Sequence, residues 1–238
     1  MQGQENSRKS AGGLTATALK WAALAAMTLD HAAWMFLPAE EYPAASFFLH
    51  LIGRAAFPVF AFLAAQGAKH TSCLLRYAGR LLLFGLVSVA PAYFAFGDGL
   101  RNNVLFTLLL GVLALSAVKR CPNRRAGVFT AAVLVLAGFW FDWGMFGVLS
   151  VVLFGLCREK RQLLFPLAVL AAGNYFLLGA GPIYSLCALG VLLALPLLRA
   201  YGGEKGRAPK FVFYVYYPSH LFLLWLISVY LPAAGNAS

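Results

Sequence analysis

The sequence predicts an all-α protein: a polytopic integral membrane helix bundle of about nine transmembrane helices, with its N-terminus in the cytoplasm. Little charge, long unbroken apolar blocks and basic residues confined to alternate loops point that way. Of the 238 residues, 61% are hydrophobic and 11% charged, and the mean hydropathy is +0.76. Soluble domains carry about a quarter charged residues. The apolar blocks, such as 14–37 and 211–231, run on without alternation. A helix satisfies its own backbone in lipid, whereas a barrel would alternate polar and apolar residues in segments of about ten. At roughly 20 residues per span, residues 14–238 make one domain with no room for a second. Residues 1–13 are polar and read as a disordered cytoplasmic tail. The first apolar block runs too long for a cleaved signal peptide and reads as a retained helix.

Helices are expected at 14–37, 46–68, 73–96, 103–118, 127–141, 144–157, 162–179, 182–199 and 211–232. The fifth and sixth are short, as a tight hairpin or a re-entrant pair would be. Loop charges test the count. Seventeen of the 19 basic residues fall on one side of such a bundle, including Lys20, Lys69, Arg76, Arg80, Lys119, Arg120, Arg158, Lys160, Arg199, Lys205 and Lys210. The opposite loops hold Glu40, Glu41, Asp98, Asp142 and a lone Arg101. Cytoplasmic loops are the ones that gather Lys and Arg. The net charge of +11 is therefore a topology signal, and nucleic acid is not an expected partner; the bilayer is. Cys73, Cys121, Cys157 and Cys187 lack metal-ligand spacing, so no metal is expected. The first three fall near the cytoplasmic face, where disulfides are rare.

Few ionisable residues lie within the expected spans: Asp30 and His31 in the first, Arg54 in the second with His50 one turn away, and His220 in the last. A charge at the bilayer centre costs about 2.5–3.5 kcal/mol even on a lenient scale, so these groups should face the bundle interior. Counting about 1.5 Å per residue puts them at similar depths, where they can converge. Asp30 and His31 point roughly 100° apart around one helix. Asp30 is expected to pair with Arg54, leaving His31 to other work. The same pair also reads as a buried ion pair that only fixes packing. Pro58 frees the carbonyl of Arg54 and predicts a kink beside a cavity. Tyr216, Tyr217 and His220 share a face of the ninth helix, as an interfacial belt or as a polar path.

Several strings resemble the TraX family in order along the chain: Lys20-Trp21 with Met27-Thr28-Leu29-Asp30-His31, then Gly53 to Phe62, Asn103 to Leu108, Asp142-x-Gly144-x-x-Gly147, and Phe213 to Leu221. Val89-Ala90-Pro91 departs from the pattern, which has a glutamine before the proline. The resemblance implies a membrane acetyltransferase of the bacterial inner membrane. It would move an acetyl group from cytoplasmic acetyl-CoA to a pilin-like N-terminal amine or to another amine or hydroxyl, on a protein or a small molecule. For that chemistry His31 is the first candidate base and His220 the second, with Arg54, oriented by Asp30, facing the developing oxyanion. A histidine carrying the acetyl group covalently is an equal possibility. Lys69, Arg76, Arg80, Lys210 and Tyr217 are assigned to acetyl-CoA, and His50, Asn102, Asn103 and Asp142 to the acceptor; Tyr217 also suits the acceptor side. A proton-coupled transporter and a non-catalytic pilus assembly factor are the competing readings.

Overall fold

A computed structural model describes residues 12–177, 182–208 and 210–230, which fold into helices and short connections with no strand among the described residues. Residues 1–11, read as a tail, lie outside this set, as do the ends of the seventh and ninth expected helices.

The first helix, α1 (Ala16–Phe36), starts at Thr15, whose hydroxyl accepts from the Ala18 N–H. It buries Leu19, Ala23, Met27, Asp30 and Ala33 along one stripe, while Trp21 and Leu29 face out. That outward apolar face recurs: Leu75, Phe129 and Phe176 are more than 70% exposed. Water penalises such surface and lipid does not. The loop at 200–206 closes over the start of α1. Leu14 and Gly202 pair through the backbone, and the carbonyls of Glu204 and Lys205 accept from Ala16 and Thr17. Gly206, at φ +76°, lies against Thr17, where a side chain would collide. The first orphan N–H groups of α1 are satisfied this way rather than by water.

The expected second helix is present as one run, Pro43–His70, with a two-residue turn of near-helical backbone inside it. The turn, Arg54–Ala55, divides it into α2 (Pro43–Gly53) and α3 (Ala56–His70). Pro58 lies in the first turn of α3, where its missing N–H has no helical partner to lose. The expected third helix bends by 43° between α4 (Leu74–Val87) and α5 (Val89–Phe96). Pro91 supplies no N–H to Val87, and the Ser88 hydroxyl donates to Phe84 O at 2.6 Å, so both loosen the ladder there. At the centre, α6 (Val104–Arg120) packs against α3, α4, α7 (Arg124–Ala137) and α8 (Gly144–Leu156). Gly111 on α6 abuts Val151, and Gly155 on α8 abuts Leu115; small residues let the two helices approach. Next come α9 (Leu164–Leu177), α10 (Pro182–Cys187), a 3₁₀ stretch at Ala188–Leu193, α11 (Ala194–Arg199) and α12 (Lys210–Tyr230).

The nine-span expectation is therefore coarser than it looked. Among the described residues, two helices, Pro43–His70 and Phe211–Tyr230, are long and apolar enough to cross a membrane. The bent α4–α5 pair makes three if counted as one span. Other apolar runs are cut short. Gly144–Leu156, at 13 residues, reaches about 20 Å against a hydrocarbon core of about 30 Å. The eighth expected helix is interrupted where Gly190 lies against the Leu51 carbonyl.

Candidate functional site

Of the five ionisable residues in the expected spans, Asp30, His31 and Arg54 line one cavity of about 370 Å³ between α1, α3, α5, the start of α6, the turn before α8, and α12, while His50 and His220 pack behind them. Asp30, His31, Arg54, Asn102, Asp142 and Tyr217 supply its polar lining; Trp34, Phe57, Phe60, Phe96 and Trp143 supply aromatic walls.

Asp30 anchors one side. Nη2 of Arg54 donates to Oδ2 at 3.0 Å and to Oδ1 at 3.2 Å, and Nδ1 of His50 donates to Oδ1 at 2.8 Å. Gly53 makes the approach possible, since a Cβ there would overlap the Asp30 side chain. All three polar residues are buried. The Arg54 guanidinium lines the cavity, where Cζ lies 5.5 Å from the Trp143 ring. His50, expected among the acceptor residues, is not in the cavity lining; it is 1% exposed and packs behind Asp30 against Trp34.

His31 turns away from Asp30, as the 100° offset requires, and meets α12. Its Nδ1 lies 2.9 Å from Nε2 of His220, with the rings nearly parallel. The chain of bonds fixes the tautomers when both rings are neutral. Nδ1 of His220 lies 3.0 Å from the Tyr216 carbonyl, which can only accept, so that nitrogen carries the proton. His220 Nε2 then accepts, and His31 Nδ1 donates. The lone pair on His31 Nε2 is left for the cavity. Below them, the Thr28 hydroxyl donates to Leu24 O and so receives the Tyr216 hydroxyl at 2.8 Å, which fixes the Tyr216 ring stacked on His220.

The far wall is the turn before α8. Trp143 holds φ at +63°, the one non-glycine residue with positive φ among those described. Thr107 donates to the Asp142 carbonyl, and Phe57 stacks on Trp143 at 4.4 Å, so both flanks of the strained residue are tied. The carboxyl group of Asp142 and the hydroxyl of Tyr217 share this wall with Asn102; Tyr217 donates to Asn102 O at 3.3 Å. Tyr217 is thus grouped with the acceptor candidates and apart from the basic residues. Asn103 is not in the lining. It caps α6 through Leu105 N and donates to Gly85 O at 2.8 Å, fully buried.

The residues assigned to acetyl-CoA are dispersed. Lys69 lines a second cavity at the other end of α3. Arg76 is exposed beside Cys73, and its backbone N–H and guanidinium hold that thiol below its ordinary range. Arg80 lies over the Tyr77 ring at 5.6 Å. Lys210 begins α12, and its side chain lies outside the described residues. Sequence reasoning passed over Trp143 and Trp34. Asp142-Trp143-Gly144, a helix-starting turn with glycine after the aromatic, was the available signal for the first; Trp34 left none.

An all-α chain with apolar outer faces and a buried histidine–arginine–aspartate cavity defines a membrane protein with a polar interior site. It belongs to the TraX family: the family model described as TraX protein matches residues 15–228. It is similar to the "Probable fimbrial assembly protein FimC, serogroup H1" of Dichelobacter nodosus, with 29% identity over 235 residues covering 90% of this chain and 95% of that protein. No solved structure matches it.

Proposed function

We propose that the chain is a multi-pass acetyltransferase of the bacterial inner membrane. It takes acetyl groups from cytoplasmic acetyl-CoA and passes them to an amine or hydroxyl acceptor held in the polar cavity. The observation that carries this reading is the His31–His220 pair, whose bonding leaves an unprotonated ring nitrogen of His31, a cavity-lining residue like Arg54. His31 Nε2 takes the proton of the acceptor as its nitrogen or oxygen attacks the thioester carbonyl. The new C–N or C–O bond forms as the C–S bond breaks, and coenzyme A leaves as the thiol once it recovers a proton. His31 Nδ1–H stays on His220 throughout, so the imidazolium is held in place. Arg54, steadied by Asp30, is the cation nearest the cavity for the oxyanion.

The test is transfer of labelled acetyl from acetyl-CoA to pilin N-terminal peptides and to glycan acceptors by the purified protein. Transfer that persists at the wild-type rate in His31→Ala, or no transfer to any acceptor class, overturns the reading. The name of the Dichelobacter relative favours a second reading, a non-catalytic pilus assembly factor. Under it, a His31→Ala, His220→Ala double variant keeps pilus assembly.

The nine-crossing topology with a cytoplasmic N-terminus belongs to the same proposal and is supported by the one-sided basic loops. A membrane-impermeant maleimide is expected to label Cys73 in inverted vesicles and not in right-side-out ones. Arg76→Ala slows that labelling at neutral pH, because the low thiol pKa depends first on the Arg76 backbone and then on its guanidinium. Labelling from the outside sinks the orientation.

A further inference from the structure

We propose that the cavity at the C-terminal ends of α3 and α6 is a pocket for phosphate groups, formed by Lys69, Ser116, Lys119 and Arg120. It encloses about 180 Å³ over Ala68 and Leu115, and its lining holds three cations and no carboxylate. Like charges gathered around one concavity repel unless an anion sits among them. Basic residues at helix C-termini have an ordinary use, which is to bind the last carbonyls. That use accounts for part of this site. Lys119 Nζ donates to Gly155 O at 2.7 Å, and Arg120 Nη2 donates to Ala68 O at 2.9 Å. These bonds spend one donor of the ammonium and one of the guanidinium, and they tether both exposed side chains beside the cavity they line while their other N–H groups stay unspent. Lys69 has no such role. It is half-buried beside Lys119 and makes no hydrogen bond to any described residue. A cation held there, with a hydroxyl at Ser116 and two tethered cations opposite, matches a multiply charged phosphate ester or diphosphate better than a single carboxylate.

Position gives the pocket a use, and here the inference rests on the acetyl-CoA reading. The polar cavity is lined by Val104 and the basic one by Ser116 and Lys119, all on α6. The separation is 12 to 15 residues, about 18–22 Å along the axis. Coenzyme A has the same layout, with its phosphates at one end and its thioester at the far end of an extended arm. The donor would dock its phosphates between α3 and α6, not on Arg76 and Arg80, which do not line the cavity.

The experiment measures binding of inorganic pyrophosphate and of coenzyme A to the full chain in phosphatidylcholine nanodiscs, with acetate as the monoanion control. Lys69→Gln removes no hydrogen bond to a described residue and is expected to fold normally, which its melting profile checks. Pyrophosphate affinity should fall at least tenfold in Lys69→Gln and in Lys119→Gln, weaken with added salt, and be unchanged in Arg76→Gln. If coenzyme A follows the same pattern, the pocket holds the donor. If pyrophosphate follows it while coenzyme A does not bind, the pocket stands and the donor reading falls. Competition by phosphatidylglycerol in the discs then assigns the phosphate to a lipid headgroup. Coenzyme A binding that ignores Lys69→Gln and Lys119→Gln overturns the pocket as the donor's docking site and leaves the donor reading intact, and failure of pyrophosphate to bind the wild type overturns the pocket outright.

Discussion

His31→Ala is expected to lower acetyl transfer by about 10²–10⁴-fold, the usual contribution of a positioned general base, while the protein keeps its melting temperature within a few degrees. The contrast between rate and stability follows from the site. His31 makes one side-chain hydrogen bond, to His220, and its ring edge faces Phe96 and the cavity, so little packing depends on it. His220 gives a graded comparison. In His220→Ala the His31 Nδ1–H loses its acceptor, the ring can turn, and either nitrogen can meet the cavity. The expected loss is smaller, and it appears in kcat more than in KM because the acceptor's own contacts remain. His220→Asn, whose amide oxygen can accept from His31 Nδ1, should recover part of the difference. Equal rates for His220→Ala and His220→Asn would argue against the tautomer assignment. Transfer that survives His31→Ala at full rate removes His31 from the chemistry altogether.

The convergence of this cluster could be read from residue counting. Ionisable groups in apolar runs must find one another, and equal depths brought Asp30 to Arg54 and His31 to α12. Which groups share a partner could not be read that way. His50 and Arg54 are one turn apart, so spacing put both on the cavity face. Both keep helical backbone, with Arg54 N–H still bonded to the His50 carbonyl, but only Arg54 lines the cavity while His50 packs behind Asp30. Among the described residues, two or three helices pass the length and hydropathy test for a span, fewer than the nine expected, for a related reason. Hydropathy is blind to where the chain breaks its hydrogen-bond ladder, and Ser88 with Pro91 divides a run that is apolar throughout. Trp143 shows the opposite limit: nothing in the identity of a tryptophan announces a left-handed backbone, which is held here by Thr107 and Phe57 from two other helices. Lys119 and Arg120 were legible only as charge. Their carbonyl partners, Gly155 and Ala68, lie on helices 36 and 52 residues away in sequence.

Asp30→Ala is the substitution expected to cost the most stability, about 3–5 kcal/mol, because it strands a buried guanidinium without a counter-charge. Arg54 is 8% exposed, and the hydrogen bonds of its Nη2 go to Asp30. Its Nε is already buried without a partner, so no spare donor–acceptor pairing is at hand to compensate. His50, 1% exposed, would lose its Nδ1 acceptor in the same step. Asp30→Asn is expected to fall between wild type and Asp30→Ala, since an amide can accept one of these bonds but brings a donor into a site of donors. The decisive comparison is the Asp30→Leu, Arg54→Met double variant. Replacing a buried ion pair by apolar groups of similar volume is often neutral, so its melting temperature in detergent should recover well above Asp30→Ala, short of wild type by the bond that His50 Nδ1 still loses. Its transfer rate should not return if Arg54 faces the acyl group as proposed, because losing one such donor typically costs about 10²–10³-fold. A double variant that is both stable and active would reduce Asp30 and Arg54 to a packing pair. One that is stable and inactive separates the two roles of the pair: Asp30 keeps Arg54 folded into the wall, and Arg54 acts on what enters the cavity.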